Sequence, residues 1–314
     1  MQQYVIKRLL LMIPTLLCIT LMVFVLTRMI PGDVVELMLQ EQGYAKDLQA
    51  MRAVLGLDRP VHVQYVTWLG KVLQGDFGTS LWTKNAVLDE ILYRLPVTVE
   101  LGLLAMIFAV LMAIPVGVLS AMRQDTVQDY VARSCAIGGL SIPSFWLATI
   151  AIVLPAYYFE WTPPIQFIKW TRDPWGHLGQ FLLPAFILGL ASGASIMRLT
   201  RAMMLEVLRQ DYVRTAWAKG LRERTVLLKH ALRNAIIPVL TILGLQLAQV
   251  AGGTVVMESI FGLPGMGKFL FDALLQRDYP VVQGVNLLLA SVIVVMNLVT
   301  DMTYAWIDPR IRYR

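Results

Sequence analysis

Hydrophobic residues in this chain gather into long charge-free windows rather than alternating with polar ones. A helix rises 1.5 Å per residue and needs about 20 residues to cross the hydrocarbon core of a bilayer. Six windows satisfy that length: 9–27, 101–122, 134–159, 174–197, 234–257 and 279–300. Each is read as one crossing, which predicts an all-α integral membrane protein with about six transmembrane helices. The first window follows Lys7 and Arg8, as the apolar core of a secretory signal would. It is 19 residues long and no small-x-small cleavage site follows, so it is assigned as helix one.

Composition agrees with lipid as part of the solvent. The 314 residues are 57% hydrophobic and 15% charged, more apolar surface than a soluble fold of this size buries. The net charge of +6 is spread between uncharged stretches and forms no continuous basic patch, which speaks against nucleic acid. Six crossings divide the polar segments into two sets. The set 1–8, 123–133, 198–233 and 301–314 holds 16 basic and 7 acidic residues, the other 11 and 14. The positive-inside rule therefore predicts that the first set, with both termini, faces the cytoplasm. Nine of its basic residues lie in the 198–233 loop alone.

Between helices one and two lies an outward segment too long for a simple connection, and it is expected to have structure of its own. Within it 61–73 (VHVQYVTWLGKVL) is an amphipathic helix candidate, with Val61, Tyr65, Trp68, Leu69 and Val72 at helical spacing after Pro60. Gly75, Asp76, Phe77 and Gly78 break the chain, and 89–95 resumes a helical pattern that Pro96 delivers into the second crossing. The 159–180 segment is rich in Trp, Tyr and Pro and is expected to lie at headgroup level. The predicted organisation is 1–30, terminus and helix one; 31–96, external insertion; 97–305, transmembrane core containing the inner loop 198–235; and 306–314, cytoplasmic tail.

Catalytic chemistry is not evident. His62, His177 and His230 are expected on different loops, two outside and one inside, without zinc spacing, and neither H-E-x-x-H nor G-x-S-x-G occurs. Cys18 and Cys135 lie in apolar runs and are read as small buried hydrophobes. The stretch GLPGMGK at 262–268 fits half of a phosphate-binding loop. Phe269 replaces the magnesium-binding Ser or Thr, Pro264 removes a backbone donor, and the segment is predicted outside. It is assigned as a structural turn. No cofactor or metal is expected on this chain. The windows carry no midplane charge, with Glu100 and Asp301 at their edges, which argues against an ion-coupled carrier.

A transport protein without its own energy source needs a cytoplasmic partner, and the inner loop is the candidate surface. Asp211 is a candidate N-cap for a short helix ended by Gly220, and a second helix is expected after Thr225, running into the fifth crossing. Ala216 and Ala218 are small enough for a partner to approach closely.

The stretch DYVRTAWAKG, comprising Asp211, Tyr212, Val213, Arg214, Thr215, Ala216, Trp217, Ala218, Lys219 and Gly220, followed by LLKHALRNAIIP at 227–238, resembles the inner-loop signature of permeases in binding-protein-dependent ABC importers. It matches at Ala216 and Gly220 and departs where the general signature has glutamate. His230, Leu232 and Arg233 follow the form of the peptide/nickel branch. The N-terminal YVIKRLLLMIPT, IPGD at 30–33, GLDRP at 56–60, GDFGTS at 75–80, GGTVVMESIFGLPGMGK at 252–268, RDYPVVQG at 277–284 and DPRIR at 308–312 are similar to the B-type permeases of that branch. The resemblance implies a type I ABC permease in a bacterial or archaeal inner membrane, forming half of a pathway for dipeptides or oligopeptides. Nickel, glutathione or oligosaccharide are alternative cargoes within the family. It further implies a second homologous permease, two cytosolic ATPase subunits that use ATP and Mg, and an extracytoplasmic solute-binding protein. The 211–220 helix would be the coupling helix, and Glu258, Phe261, Pro264, Gly265, Asp278 and Tyr279 would shape the outer gate on the binding-protein side. A self-sufficient channel or ion-coupled carrier is the rival from another class.

Overall fold

A computed structural model describes residues 2–29, 52, 56–164 and 166–307. The motifs at 30–33 and 308–312, and much of the predicted insertion, lie outside the described residues. The helices are α1 (Gln2–Met29), α2 (Val61–Val72), α3 (Val87–Met122), α4 (Val127–Ser141), α5 (Ser144–Phe159), α6 (Pro174–Leu208), α7 (Asp211–Ala218), α8 (Arg233–Ile260), α9 (Met266–Leu275) and α10 (Tyr279–Ile307). A short turn Glu223–Thr225 and a π-helical stretch Val226–Leu232 lead directly into α8. Among the described residues the only β pairing is an isolated bridge between Thr79 and Ala86.

Among the described residues five helices are long and apolar enough to span a membrane: Arg8–Met29, Val87–Met122, Pro174–Leu208, Glu223–Gln246 and Tyr279–Thr300. A sixth span exists only if α4 and α5 are taken together, and these are bent by 93° at their junction. The window 134–159, expected as one crossing, is therefore two helices with a break between Ser141 and Ser144. Pro143 disfavours helical geometry at the residue before it, and Ile142 is extended at φ −91°, ψ 121°. α3 runs without interruption from Val87 through Pro96 into the second crossing, in line with the helical pattern expected over 89–95.

The described chain forms two compact units. Unit one comprises 2–29, 52, 56–97 and 264–295. Its apolar core joins Val87 and Ile91 of α3, Met266 and Ala273 of α9, and Val281, Val282 and Val285 of α10. The predicted amphipathic helix is present as α2, which lays Tyr65 and Trp68 against the buried Phe24 of α1, with the Tyr65 ring edge-on at 5.2 Å. Val61, predicted on its apolar face, is exposed instead.

Unit two comprises 98–164, 166–263 and 296–307. Its core joins Met106, Ala109 and Ala113 of α3, Ala136 of α4, Ala194, Ile196 and Met197 of α6, and Val239 and Leu243 of α8. The core's four alanines allow the close backbone packing through which membrane helices associate, since apolar side chains gain nothing by leaving lipid. The loop before α6 is tied to that helix: Gln180 receives the Ile168 N–H at 3.0 Å and donates to the Gln166 carbonyl at 2.7 Å. His177, expected in a loop, is a buried residue of α6, with Nδ1 2.6 Å from the Ile168 carbonyl and Nε2 3.0 Å from Glu100. The 262–268 stretch is the turn between α8 and the start of α9, with Met266 and Gly267 buried.

Candidate functional site

The connection between α6 and α8 folds as a short helix pinned by one edge. Val213 and Ala216 of α7 are buried with Val226 of the π-helical stretch, against Val207 and Leu208 at the end of α6. Their spacing of three residues puts both on one face. The remaining residues, Asp211, Tyr212, Arg214, Thr215, Trp217, Ala218, Lys219 and Gly220, are exposed. An eight-residue helix does not hold its shape alone in water, so this packed edge is what defines it.

Both ends of α7 bear on the predicted signature. Gln210 rather than Asp211 is the N-cap, and it makes no side-chain capping bond. Asp211 is the first helical residue, where its charge favours the positive end of the helix dipole, and its carboxylate reaches Arg214 at 3.5 Å. At the other end Lys219 is the C-cap and Gly220 follows at φ +72°, its N–H donating to the Trp217 carbonyl at 2.9 Å. A Cβ at Gly220 would meet nothing within 4 Å, so backbone conformation alone calls for glycine. Gly220→Val is expected to destabilise the chain by about 1–2 kcal/mol, and Gly220→Asn by less than half of that. Thermal unfolding midpoints of the two variants in detergent measure the difference.

Ala216 does not face a partner as expected. It is turned inward, and its small side chain lets α7 lie close to the chain's own π-helical stretch; Ala218 is the exposed alanine. That stretch supplies a second anchor. A π-helical turn displaces the carbonyl partners of the ordinary ladder. The His230 carbonyl accepts from the Tyr212 hydroxyl at 3.4 Å and from the Asn234 side-chain amide at 3.2 Å, and that amide also donates to the Tyr212 oxygen at 2.8 Å.

About two turns before the end of α6, Arg201 takes part in a polar clamp. Asp129, fully buried near the start of α4, accepts from Arg201 Nε at 2.7 Å and Nη2 at 2.6 Å, a two-pronged pair. Ser120 of α3 donates to the same carboxylate, as does the Asp125 N–H at 3.1 Å. The clamp ties α3, α4 and α6 together. A further apolar cluster of Val118, Ala121, Met204, Leu227, Ala231 and Ala235 fastens α3 and α6 to the π-helical stretch.

The residues expected at an outer gate are held by contacts inside their own units. In unit one Asp278 is buried and accepts from the Ser80 hydroxyl at 2.5 Å and the Leu81 N–H at 3.1 Å, while the Trp82 indole donates to the Gln276 carbonyl at 2.8 Å. The GDFGTS and RDYPVVQG stretches thus form one joint, with Tyr279 buried beside it, Gly265 buried as the N-cap of α9 and Pro264 half-buried. In unit two Glu258 is fully buried and accepts from the Thr98 hydroxyl at 2.7 Å, and Phe261 is buried at the end of α8. Among the described residues no group of three or more His, Cys, Asp or Glu side chains is placed to hold a metal ion.

Comparisons with known proteins bear on the whole chain. Residues 113–313 match the family model for the inner membrane component of binding-protein-dependent transport systems, and residues 1–102 match the model of its N-terminal part. The chain is 41% identical to the dipeptide transport system permease protein DppB of Escherichia coli K12, with both proteins covered in full. It is 43% identical to the oligopeptide permease AppB of Bacillus subtilis and 40% identical to the glutathione permease GsiC of Salmonella choleraesuis, again with full coverage of each. A crystal structure of an amino acid ABC transporter with histidines superposes on 71% of this chain and 94% of its own with a TM-score of 0.51 at 16% identity, a likeness of fold. The all-α fold, the five to six apolar helices and the full-length matches agree, and the chain belongs to the inner-membrane permease family of binding-protein-dependent ABC transport systems.

Proposed function

We propose that this chain forms half of the translocation pathway of an ATP-driven importer for short peptides, and that α7 is the element through which a cytosolic ATPase drives it. The observation that carries this reading is the geometry of α7. Its inner edge is locked to the chain, while Tyr212, Trp217, Arg214 and Lys219 stand exposed on a helix too short to persist alone. The pathway would be completed by a second, homologous permease, and two ATPase subunits would supply ATP and Mg chemistry. An extracytoplasmic binding protein would deliver the solute. The excess of basic residues in the 198–233 loop supports a cytoplasmic location for α7 and for both termini. Glu258, Phe261, Pro264, Gly265, Asp278 and Tyr279 would act at the outer mouth by fixing the turns around it. Transport follows from two alternating states, biased by ATP binding and hydrolysis at the ATPase pair.

A central interface tryptophan commonly contributes at least about 2 kcal/mol, equivalent to roughly 30-fold in affinity. Trp217→Ala is therefore expected to weaken ATPase binding about 30-fold and to reduce nucleotide-dependent uptake in proteoliposomes in parallel. Its exposed position leaves the chain's own unfolding within about 0.5 kcal/mol of the parent. Uptake by vesicles holding this chain alone, indifferent to nucleotide, would instead establish a self-sufficient channel or carrier. Glutathione is the second reading, favoured by the full-length match to a glutathione permease. Competition between labelled dipeptide and glutathione in the assembled importer separates the two.

A further inference from the structure

Among the described residues four buried side-chain polar atoms have no hydrogen-bond partner: Arg28 Nη1, Trp68 Nε1, Gln246 Oε1 and Gln283 Nε2. Three of the four line one cleft of unit one, of about 340 Å³, and all three of these are donors. The cleft is walled by the end of α1, by α2 and by the first turns of α10. Gln283 is 4% exposed, so its amide has no recourse to bulk solvent. The Arg28 guanidinium is fixed in plane by lying 3.9 Å over the Phe24 ring and by giving Nε and Nη2 to Gln64 Oε1 at 3.0 and 2.8 Å, which leaves Nη1 over.

Buried donors are paired in folded proteins, because an unpaired one gives up its bond to water for nothing. Three residues that each carry an unpaired donor and line the same space describe a site for an acceptor. Its charge narrows the ligand. Arg59, Lys71 and Asp76 also line the cleft, and Asp76 is exposed with its carboxylate receiving the Gly78 N–H at 2.8 Å. The buried part therefore offers one guanidinium and two neutral N–H groups, which suits a planar monoanion better than a phosphate, whose higher charge calls for more cations.

Resting on the peptide-importer reading above, we propose that this cleft binds a carboxylate, the C-terminal carboxylate of a short peptide, through Arg28, Trp68 and Gln283. The test uses the transporter assembled from its membrane and ATPase subunits without binding protein, in nanodiscs of phosphatidylcholine. Binding of radiolabelled alanylalanine, alanylalaninamide and inorganic phosphate is measured by equilibrium dialysis. The free acid is expected to bind about 10-fold to 100-fold more tightly than the amide, the range for losing a charged hydrogen-bonding group. Trp68→Phe and Gln283→Leu should each weaken free-acid binding about 10-fold or more. Gln283→Leu should not lower the ligand-free unfolding midpoint, because it removes a donor that is unpaired without ligand; a purely structural role would lower it. Equal binding of acid and amide, tighter binding of phosphate, no binding by the parent, or full binding by both variants overturns the proposal. ATP-driven dipeptide uptake by the complete importer is measured beside it. Intact uptake with a negative binding result removes the carboxylate site and leaves the transport reading standing, whereas absent uptake counts against that reading itself.

Discussion

Replacing Asp129 by alanine is expected to cost about 3–5 kcal/mol and to loosen α6, the helix whose end carries α7. The carboxylate is fully buried and satisfies both prongs of Arg201, the Ser120 hydroxyl and the Asp125 N–H. Alanine removes one acceptor group and strands three donors, one of them a guanidinium with 18% of its side chain exposed. Most of the penalty arises from that cation, which must either stay unpaired or swing toward water and take α6 with it. The lower end of the range applies to the extent that it reaches water. A second variant separates charge from packing. In Asp129→Leu combined with Arg201→Met the ionic pair becomes an apolar one of similar volume, and stability should recover to within about 1–2 kcal/mol of the parent. Denaturation by SDS in mixed micelles gives both numbers, and a single Asp129→Ala variant as stable as the parent would show that the pair holds nothing together.

The clamp matters to function because of what rests on it. A helix of eight residues transmits a push only if the chain under it is stiff, and α7 sits on the end of α6 and on the π-helical stretch. The apolar cluster around Met204 fastens those two elements to α3. Loss of the Asp129 clamp should therefore reduce transport per ATP hydrolysed more than it reduces ATPase docking, whereas Trp217→Ala should weaken docking first. Comparing the two in the assembled importer tells attachment from transmission.

How far the sequence disclosed this arrangement depends on the range of the interaction. Crossings were legible because each one must satisfy its own backbone in lipid, which forces a long apolar run. Five windows became continuous spans. The sixth, 134–159, had the right length yet broke at Pro143, and hydropathy does not register a break that leaves composition unchanged. The signal was stereochemical, a proline near the middle of the run. At α7 the stop was legible, since Gly220 is required locally, while the start was misplaced by one residue because Asp211 and Gln210 compete on side-chain chemistry alone. The inward turn of Ala216 was missed for a different reason: it depends on Val226, which belongs to the neighbouring stretch. Asp129 entered the topology argument only as a loop charge, and its partner Arg201 is 72 residues away. The same holds for Ser80 and Asp278, 198 residues apart, whose motifs were recognised separately with nothing to say that they meet.

Gly189→Leu is expected to prevent folding, and it tests the packing that sets α3 against α6. A Cβ at this position would stand 2.7 Å from the Ala105 carbonyl oxygen, 2.9 Å from Phe108 Cβ and 3.2 Å from the Ala109 nitrogen. Two of these three are backbone atoms of a helix, which cannot turn aside as the tip of a flexible side chain can. Overpacking in a well-filled core usually costs about 1–3 kcal/mol, and here helix axes must separate before even the first carbon fits. Leucine adds three more carbons, and a total above about 4–5 kcal/mol places the variant beyond what a marginally stable fold tolerates. Gly189→Ala, which adds the Cβ alone, should fold with a lowered unfolding midpoint. The control lies on the same helix: Gly179 is exposed and has nothing within 4 Å of an added Cβ. Gly179→Leu should match or exceed the parent, since leucine is favoured over glycine in helices by up to about 1 kcal/mol. Fluorescence-detected size-exclusion of tagged variants gives the folded yield. A monodisperse Gly189→Leu peak at parental yield would mean that α3 and α6 do not meet at this distance, and that the platform under α7 is built in some other way.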